Sequence, residues 1–231
     1  MAAFNGFGRR AIDWFKGLEA DNSKAYFEAT RETFETDVKA PMTALLEETA
    51  ATVGGEVKLF RPYRDIRFAK DKSPYKKNFY GVVHSRPGSQ AGYYAAISVK
   101  GLAAGTGYYE MAADQIERFR QAVDDEETGS ELETILAELE EAGHRVWGEA
   151  VKSAPRGWPK DHPRIHLIRH KQIVVSRLMP PSDGLCGRAA IEHCFAMWRA
   201  AGPFTDWLDA NVGPSEMPAL ERMIRADGRR G

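Results

Sequence analysis

NFYGVVH (78–84) and YYAAISV (93–99) are rich in aromatic and β-branched residues, and Arg86-Pro87-Gly88-Ser89 stands between them. Two such runs around a turn-forming tetrapeptide predict an antiparallel hairpin. Upstream, VKLFRPYRDIRF (57–68) alternates better as a strand than as a helix, and Pro62 places it at a sheet edge or on a bulge. Downstream, GLAAGTG (101–107) reads as a glycine-containing loop and Tyr108-Tyr109 as a short strand. Ile173-Val174-Val175 is the clearest late strand.

Helical periods surround these strands. Ile12, Phe15 and Leu18 recur at helical spacing, and Asp21-Asn22-Ser23 then supplies a break with N-cap candidates. A long pattern follows through Phe27, Phe34, Val38, Leu45 and Leu46, with a kink or a meeting of two helices expected at Pro41 and closure at Val53-Gly54-Gly55. Residues 111–123, 131–141, 188–201 and 204–210 are further helices, and Pro214 onward reads as a short final one. Helices, a block of strands and more helices predict an α+β fold with an antiparallel-rich sheet. No repeat or long linker interrupts residues 1–231, so one domain is expected.

The chain has 231 residues, 43% hydrophobic and 28% charged, which excludes collagen-like, low-complexity and wholly disordered classes. Cys186 and Cys194 are too few for a disulfide framework and their spacing fits no common zinc pattern. No signal-peptide order and no apolar run of membrane-spanning length is present, so a cytoplasmic protein with no membrane partner is expected. The net charge of −1 conceals an uneven distribution. Residues 56–108 carry 10 basic and 3 acidic groups, 109–143 carry 2 and 12, and 144–177 carry 8 and 2. The basic segments either neutralise the acidic one across the surface or converge on an anion site.

The densest chemistry is RPYRDIRFAKDKSPYKK (61–77). On a strand, Arg61, Tyr63, Asp65 and Arg67 would share one face and Arg64, Ile66 and Phe68 the other. Such a cationic face is a surface, a salt-bridge network with Asp65 on Arg67 or Arg61, or a ligand floor. Lys70, Lys72 and Lys76 add point charge, while Ser73 and Tyr75 add neutral donors. No phosphate-binding glycine loop of the nucleotide-hydrolase type occurs.

A second cationic stretch, KSAPRGWPKDHPRIHLIRHK (152–171), contains His162 beside Asp161. His162 is the acid–base candidate, and Arg169 and Lys171 would close the far side of an anion site. Adjacent helical residues do not face each other, so Asp161 is assigned a helix-capping role. His162, His166 and His170 would form one stripe on a helix, but Arg169 and Lys171 crowd it, and no metal is assigned. No cofactor is expected, since 101–107 lacks the dinucleotide-binding pattern. Cys194, amid Ile191, Phe195 and Trp198, reads as a buried thiol.

At these residues the chain resembles a known family, the domain of unknown function 2461. RPYRDIRFAKDKSPYKKNF is similar to its long motif, DNSKAYFEATRETFETDVKAP to its entry helix, and GYYAAIS, VKSAPRGW and DHPRIHLIRHK to later segments. The similarity runs from about Ile12 to Trp207 and implies a single α+β domain without implying an activity. Ala69 departs from a serine in the motif, and Gly105, Gly107 and Tyr108 depart from a fuller glycine run followed by tryptophan.

Three functions stay open. The first is a basic pocket for a small phosphate or carboxylate ligand, with or without catalysis, using Arg61, Arg64, Arg67, Lys70, Lys72, Ser73, Tyr75, Lys76, Arg169 and Lys171. The second is a nucleic-acid-binding module using the same groups. The third is a scaffold that presents the acidic 109–143 segment to a partner.

Overall fold

Helices α1 (Ala11–Ala20) and α2 (Lys24–Ala29) lead into the fold, which a computed structural model describes over residues 3–85 and 89–218. Ser23 starts α2: its hydroxyl accepts the Tyr26 N–H at 3.1 Å, satisfying one donor left open at a helix N-terminus. A short α3 (Arg31–Thr33) runs through a π-helical stretch, Phe34–Lys39, into α4 (Ala40–Val53). That stretch is where Pro41 is accommodated. Proline has no N–H to offer the carbonyl four residues back. This carbonyl, of Asp37, accepts the Gly8 N–H at 3.0 Å instead. In place of a kink at Pro41, a π-helical stretch joins α3 to α4 just before it.

Six strands make one antiparallel sheet. They are β1 (Glu56–Leu59), β2 (Asn78–His84), β3 (Tyr93–Ser98), β4 (Gly101–Tyr108), β5 (Arg145–Trp147) and β6 (Ile173–Met179), in the order β1-β2-β3-β4-β6-β5. The hairpin is present as β2 and β3, with Asn78 opposite Ser98 and Gly81 opposite Ala95. Three of its four expected turn residues, 86–88, lie outside the described residues; the final helix expected from Pro214 is not formed over 214–218, and the chain from 219 lies outside the described residues. The class is α+β.

Two strand assignments change. Of 57–68 only the first residues lie in a strand of the sheet, the edge strand β1, which ends before Pro62. Conversely, 101–107 is not a loop but most of β4. Its glycines disguise it: Gly101 and Gly107 have φ of 106° and 132°. A Cβ on Gly107 would lie 2.4 Å from the Ile173 carbonyl oxygen, and one on Gly101 2.0 Å from that of Met179. Glycine is required there by close backbone approach, not by a turn.

Packing divides the chain into two compact units. The described part of the first comprises residues 3–85, 92–105 and 176–199, and that of the second 89–91, 106–175 and 200–218. Strands β4 and β6 each run through both. The first unit has an aromatic core, with Phe34 5.0 Å from Trp14, 5.1 Å from Phe27 and 5.1 Å from Phe79 between ring centres. It also includes α8 (Ala189–Ala200) up to Arg199, where Cys194 is fully buried and its thiol is pushed up by that burial.

The second unit packs α5 (Ala113–Asp124), α6 (Glu126–Glu141), the single-turn α7 (Ile165–Ile168) and α9 (Gly202–Asn211). Phe119 meets Trp207 edge-on at 6.1 Å, and the Trp207 indole donates to the Thr128 carbonyl at 3.0 Å. Among the described residues no helix is long and apolar enough to cross a membrane.

Three histidines make folding pH-dependent, and one of them, His84, is lowered by burial and then by Lys58. Burial pushes His170 and His193 below their ordinary value, and each ring donates to a carbonyl, of Gln172 and Arg177. A histidine depressed in the folded state binds fewer protons there than when unfolded. Stability is therefore full above the unfolded value of about 6.5 and falls as pH drops from there through the folded values. Thermal melts should show a lower midpoint at pH 5 than at pH 7, both taken as approximate bounds of that window. The double variant His170→Gln, His193→Gln should reduce the difference and leave the share of His84; an unaltered slope contradicts the assignment.

Candidate anion-binding site

Segment 61–77 is a closed loop, not a strand, so the face grouping expected from alternation does not hold. One antiparallel bridge joins Tyr63 to Tyr75. Beside it the Arg64 N–H donates to the Pro74 carbonyl and the Lys76 N–H to the Pro62 carbonyl, each at 2.8 Å. Asn22, just before α2, docks this loop by acting like a neighbouring strand. Its amide donates to the Tyr75 carbonyl at 3.1 Å and its side-chain oxygen accepts the Tyr75 N–H at 3.0 Å. The Tyr75 ring lies flat on Phe27, with centres 4.2 Å apart and planes 6° apart, and burial raises its phenol above the ordinary range.

The Asp71-Lys72-Ser73-Pro74 run explains the local path. An aspartate readily bonds the backbone two residues on, and the Asp71 carboxylate accepts the Ser73 N–H at 2.9 Å as well as the Ser73 hydroxyl. Arg64 Nη1 donates to the other Asp71 oxygen at 2.6 Å and to the Ser73 carbonyl at 3.1 Å. Ser73 foremost, then Arg64, holds the Asp71 carboxyl well below the usual carboxylate range. Asp65 pairs with Arg67 at 2.7 Å, and those bonds push it down to about 2. Lys72 donates to the Ile66 carbonyl at 3.0 Å. Lys76 donates to the Arg61 carbonyl at 3.0 Å and the Tyr80 hydroxyl at 3.2 Å.

Arg64, Arg67, Lys72, Ser73, Tyr75 and Lys76 thus all serve the loop's own structure. Among the described residues, no hydrogen bond or ion pair engages the side chains of Arg61, Lys70 or Lys77, although Arg61 contributes to the field on Asp65. A depression of about 330 Å³ opens on the loop, lined by Arg64, Asp71, Tyr75, Lys76, Lys77 and Asn78. Three cations face one carboxylate, and that carboxylate is already bonded to Ser73 and Arg64. Arg64 spends only Nη1 internally, leaving Nε and Nη2, the fork that suits a planar or tetrahedral oxyanion.

The segment 152–171 lies in the second unit and there meets the acidic helices. Arg164, buried, donates to Glu133 at 2.8 Å, to Glu126 at 2.9 Å and to Ser130 at 2.7 Å. His162 has both nitrogens in use: Nε2 contacts Asp124 at 2.8 Å and Nδ1 accepts the Arg164 N–H at 3.0 Å. Both ring nitrogens are thus engaged, which leaves none for a substrate. Lys171 pairs with Glu149 at 2.8 Å, and Arg169 keeps a buried Nε without a hydrogen bond. Only Ile165–Ile168 is helical here, so the three histidines share no helix. Asp161 does not cap it, since Arg164 is the N-cap residue and no side chain bonds there.

Two of the segments that carried the resemblance meet in the first unit: Asn22 and Phe27 from the entry segment hold Tyr75 of the long motif. A family model described as a conserved hypothetical protein, DUF2461, matches residues 10–207. The chain belongs to the DUF2461 family. No curated protein and no solved structure matches it. Within this DUF2461 chain, residue-by-residue reading missed Asn22 as a docking group, although it marked Asn22 as a helix-start signal. It also passed over Lys77 and Asn78, which nothing in their spacing distinguishes from the neighbouring lysines.

Proposed function

We propose that this DUF2461 protein binds a small, multiply charged oxyanion, of the phosphate or carboxylate class, in the depression lined by Arg64, Lys76 and Lys77. The observation that carries this reading is the convergence of three cations on one hollow whose only carboxylate, Asp71, is bonded within the loop. A volume of about 330 Å³ is at the small end of ligand sites, roughly 300–1,000 Å³. Its charged lining residues suit a hydrophilic anion better than an apolar ligand. The Arg64 fork would bind two oxygens, Lys77 would add a charge committed to nothing else, and Tyr75 would form part of the floor. The binding role does not extend to Arg169 or Lys171, and no catalytic step is assigned to His162. Cys186 and Cys194, both unpaired thiols, support a reducing, cytoplasmic setting.

Calorimetric titration with inorganic phosphate tests the reading. Lys77→Gln should weaken binding roughly ten-fold, about the worth of one hydrogen bond to a charged group, while Lys77→Arg keeps most of it. The Lys77 side chain holds no internal bond, so neither change should shift the melting temperature. An affinity equal to that of the unaltered protein in Lys77→Gln would falsify the site.

A further inference from the structure

Phe68 is 96% exposed, by far the most exposed large apolar side chain among the described residues. It is not a loose side chain on a loose strand. The Ala69 N–H turns back to the Ile66 carbonyl at 3.4 Å, Lys72 braces the Ile66 carbonyl from behind, and the Asp65–Arg67 pair fixes the residues before it. The base of the loop is held by Asn22 and by the Tyr63–Tyr75 bridge. The loop is thus built to hold one aromatic ring clear of the protein. Around that ring the loop 61–77 carries seven cationic side chains against two acidic ones.

We propose that Phe68 and its cationic loop form a contact for an anionic lipid surface. Two physical requirements select this partner. A membrane surface attracts net charge through its potential, within about a Debye length. Arg67 and Lys72 therefore contribute even though their hydrogen bonds are spent inside the loop. A ring bare on both faces and at its edge can be immersed in an apolar medium, and burying a phenylalanine is among the larger single gains a side chain can make. Single-stranded nucleic acid fits less well. Its stacking platforms work beside a groove of cations free to meet successive phosphates, and of the three nearest Phe68 in sequence, Arg67, Lys70 and Lys72, only Lys70 is uncommitted. The expectation of no membrane partner rested on the lack of a spanning segment, which a surface contact does not need.

Sedimentation of the full chain with vesicles of equal parts phosphatidylserine and phosphatidylcholine tests this. Binding should be strong at low salt, fall steeply as salt is added, and be absent with phosphatidylcholine alone. Phe68→Ser should lower it roughly ten-fold, the lower end of what burying one phenylalanine contributes, and Phe68→Trp should keep it. Phosphate titration of Phe68→Ser should be unchanged, which separates this contact from the oxyanion site. Three results overturn the proposal. One is no binding to the anionic vesicles, and another is equal binding by Phe68→Ser. The third is loss on Phe68→Ser of affinity for a single-stranded oligonucleotide when vesicles are not bound.

Discussion

Phe27→Ala is expected to lower the unfolding free energy by about 3–5 kcal/mol, the range for removing a buried phenylalanine from a packed core. The ring is 2% exposed, stacks on Tyr75 and touches Phe34 and Trp14. Its loss should also have a local signature. Tyr75 would lose the surface on which it lies, so the loop 61–77 should become the first site of proteolytic cleavage and phosphate binding should fall with it. Urea titration reads the first effect and limited trypsin digestion the second. A loss below about 1 kcal/mol, an ordinary value for a point substitution, with an intact loop would show that Asn22 and the Tyr63–Tyr75 bridge hold the segment unaided.

Gly107→Ala should be at least as damaging, for a backbone reason. A φ of 132° is a region that residues with a Cβ avoid, at a cost of roughly 1–3 kcal/mol. The added atom would also sit 2.4 Å from the Ile173 carbonyl oxygen, within the β4–β6 part of the sheet. Backbone cannot swing aside as a flexible side chain can, so a total of about 3 kcal/mol or more is expected, with much of the protein failing to fold. Gly187→Ala is the matched control, because a Cβ there meets nothing within 4 Å. Similar melting temperatures for the two variants would contradict this reading of β4.

The same glycine shows why part of the fold was hidden in the sequence. Leu102 and Tyr108 are fully buried strand residues, yet they are spaced by alanine and glycine, which carry little strand signal. The information lay in the neighbouring strand's approach, which no local pattern records. At VKLFRPYRDIRF the opposite error arose. Alternation continues past Phe60, but Pro62 and the need of Arg64 to reach Asp71 turn the chain into a loop. Where periodicity was long, as at Ile116, Phe119 and Val123 of α5 or Ile191, Cys194 and Trp198 of α8, the helices stand where the pattern put them.

For the candidate site, the cationic character of 61–77 was legible and its partition was not. Sequence offered Arg67 or Arg61 as the partner of Asp65, and the ion pair is with Arg67. It did not separate cations used by the loop, such as Lys72 and Lys76, from Lys77, because that depends on which carbonyls the turn presents. In the second unit, the reading that acidic and basic segments neutralise each other describes Arg164 with Glu126 and Glu133, and His162 with Asp124. Arg164 was not singled out, since its burial depends on how α6 packs rather than on its sequence neighbours.

We propose that an oxyanion is held at the loop depression. Amide chemical-shift mapping during a phosphate titration tests it most directly. The shifts should concentrate on Arg64, Asp71, Tyr75, Lys76, Lys77 and Asn78 and saturate together; shifts scattered over other basic segments, or none at all, would contradict it.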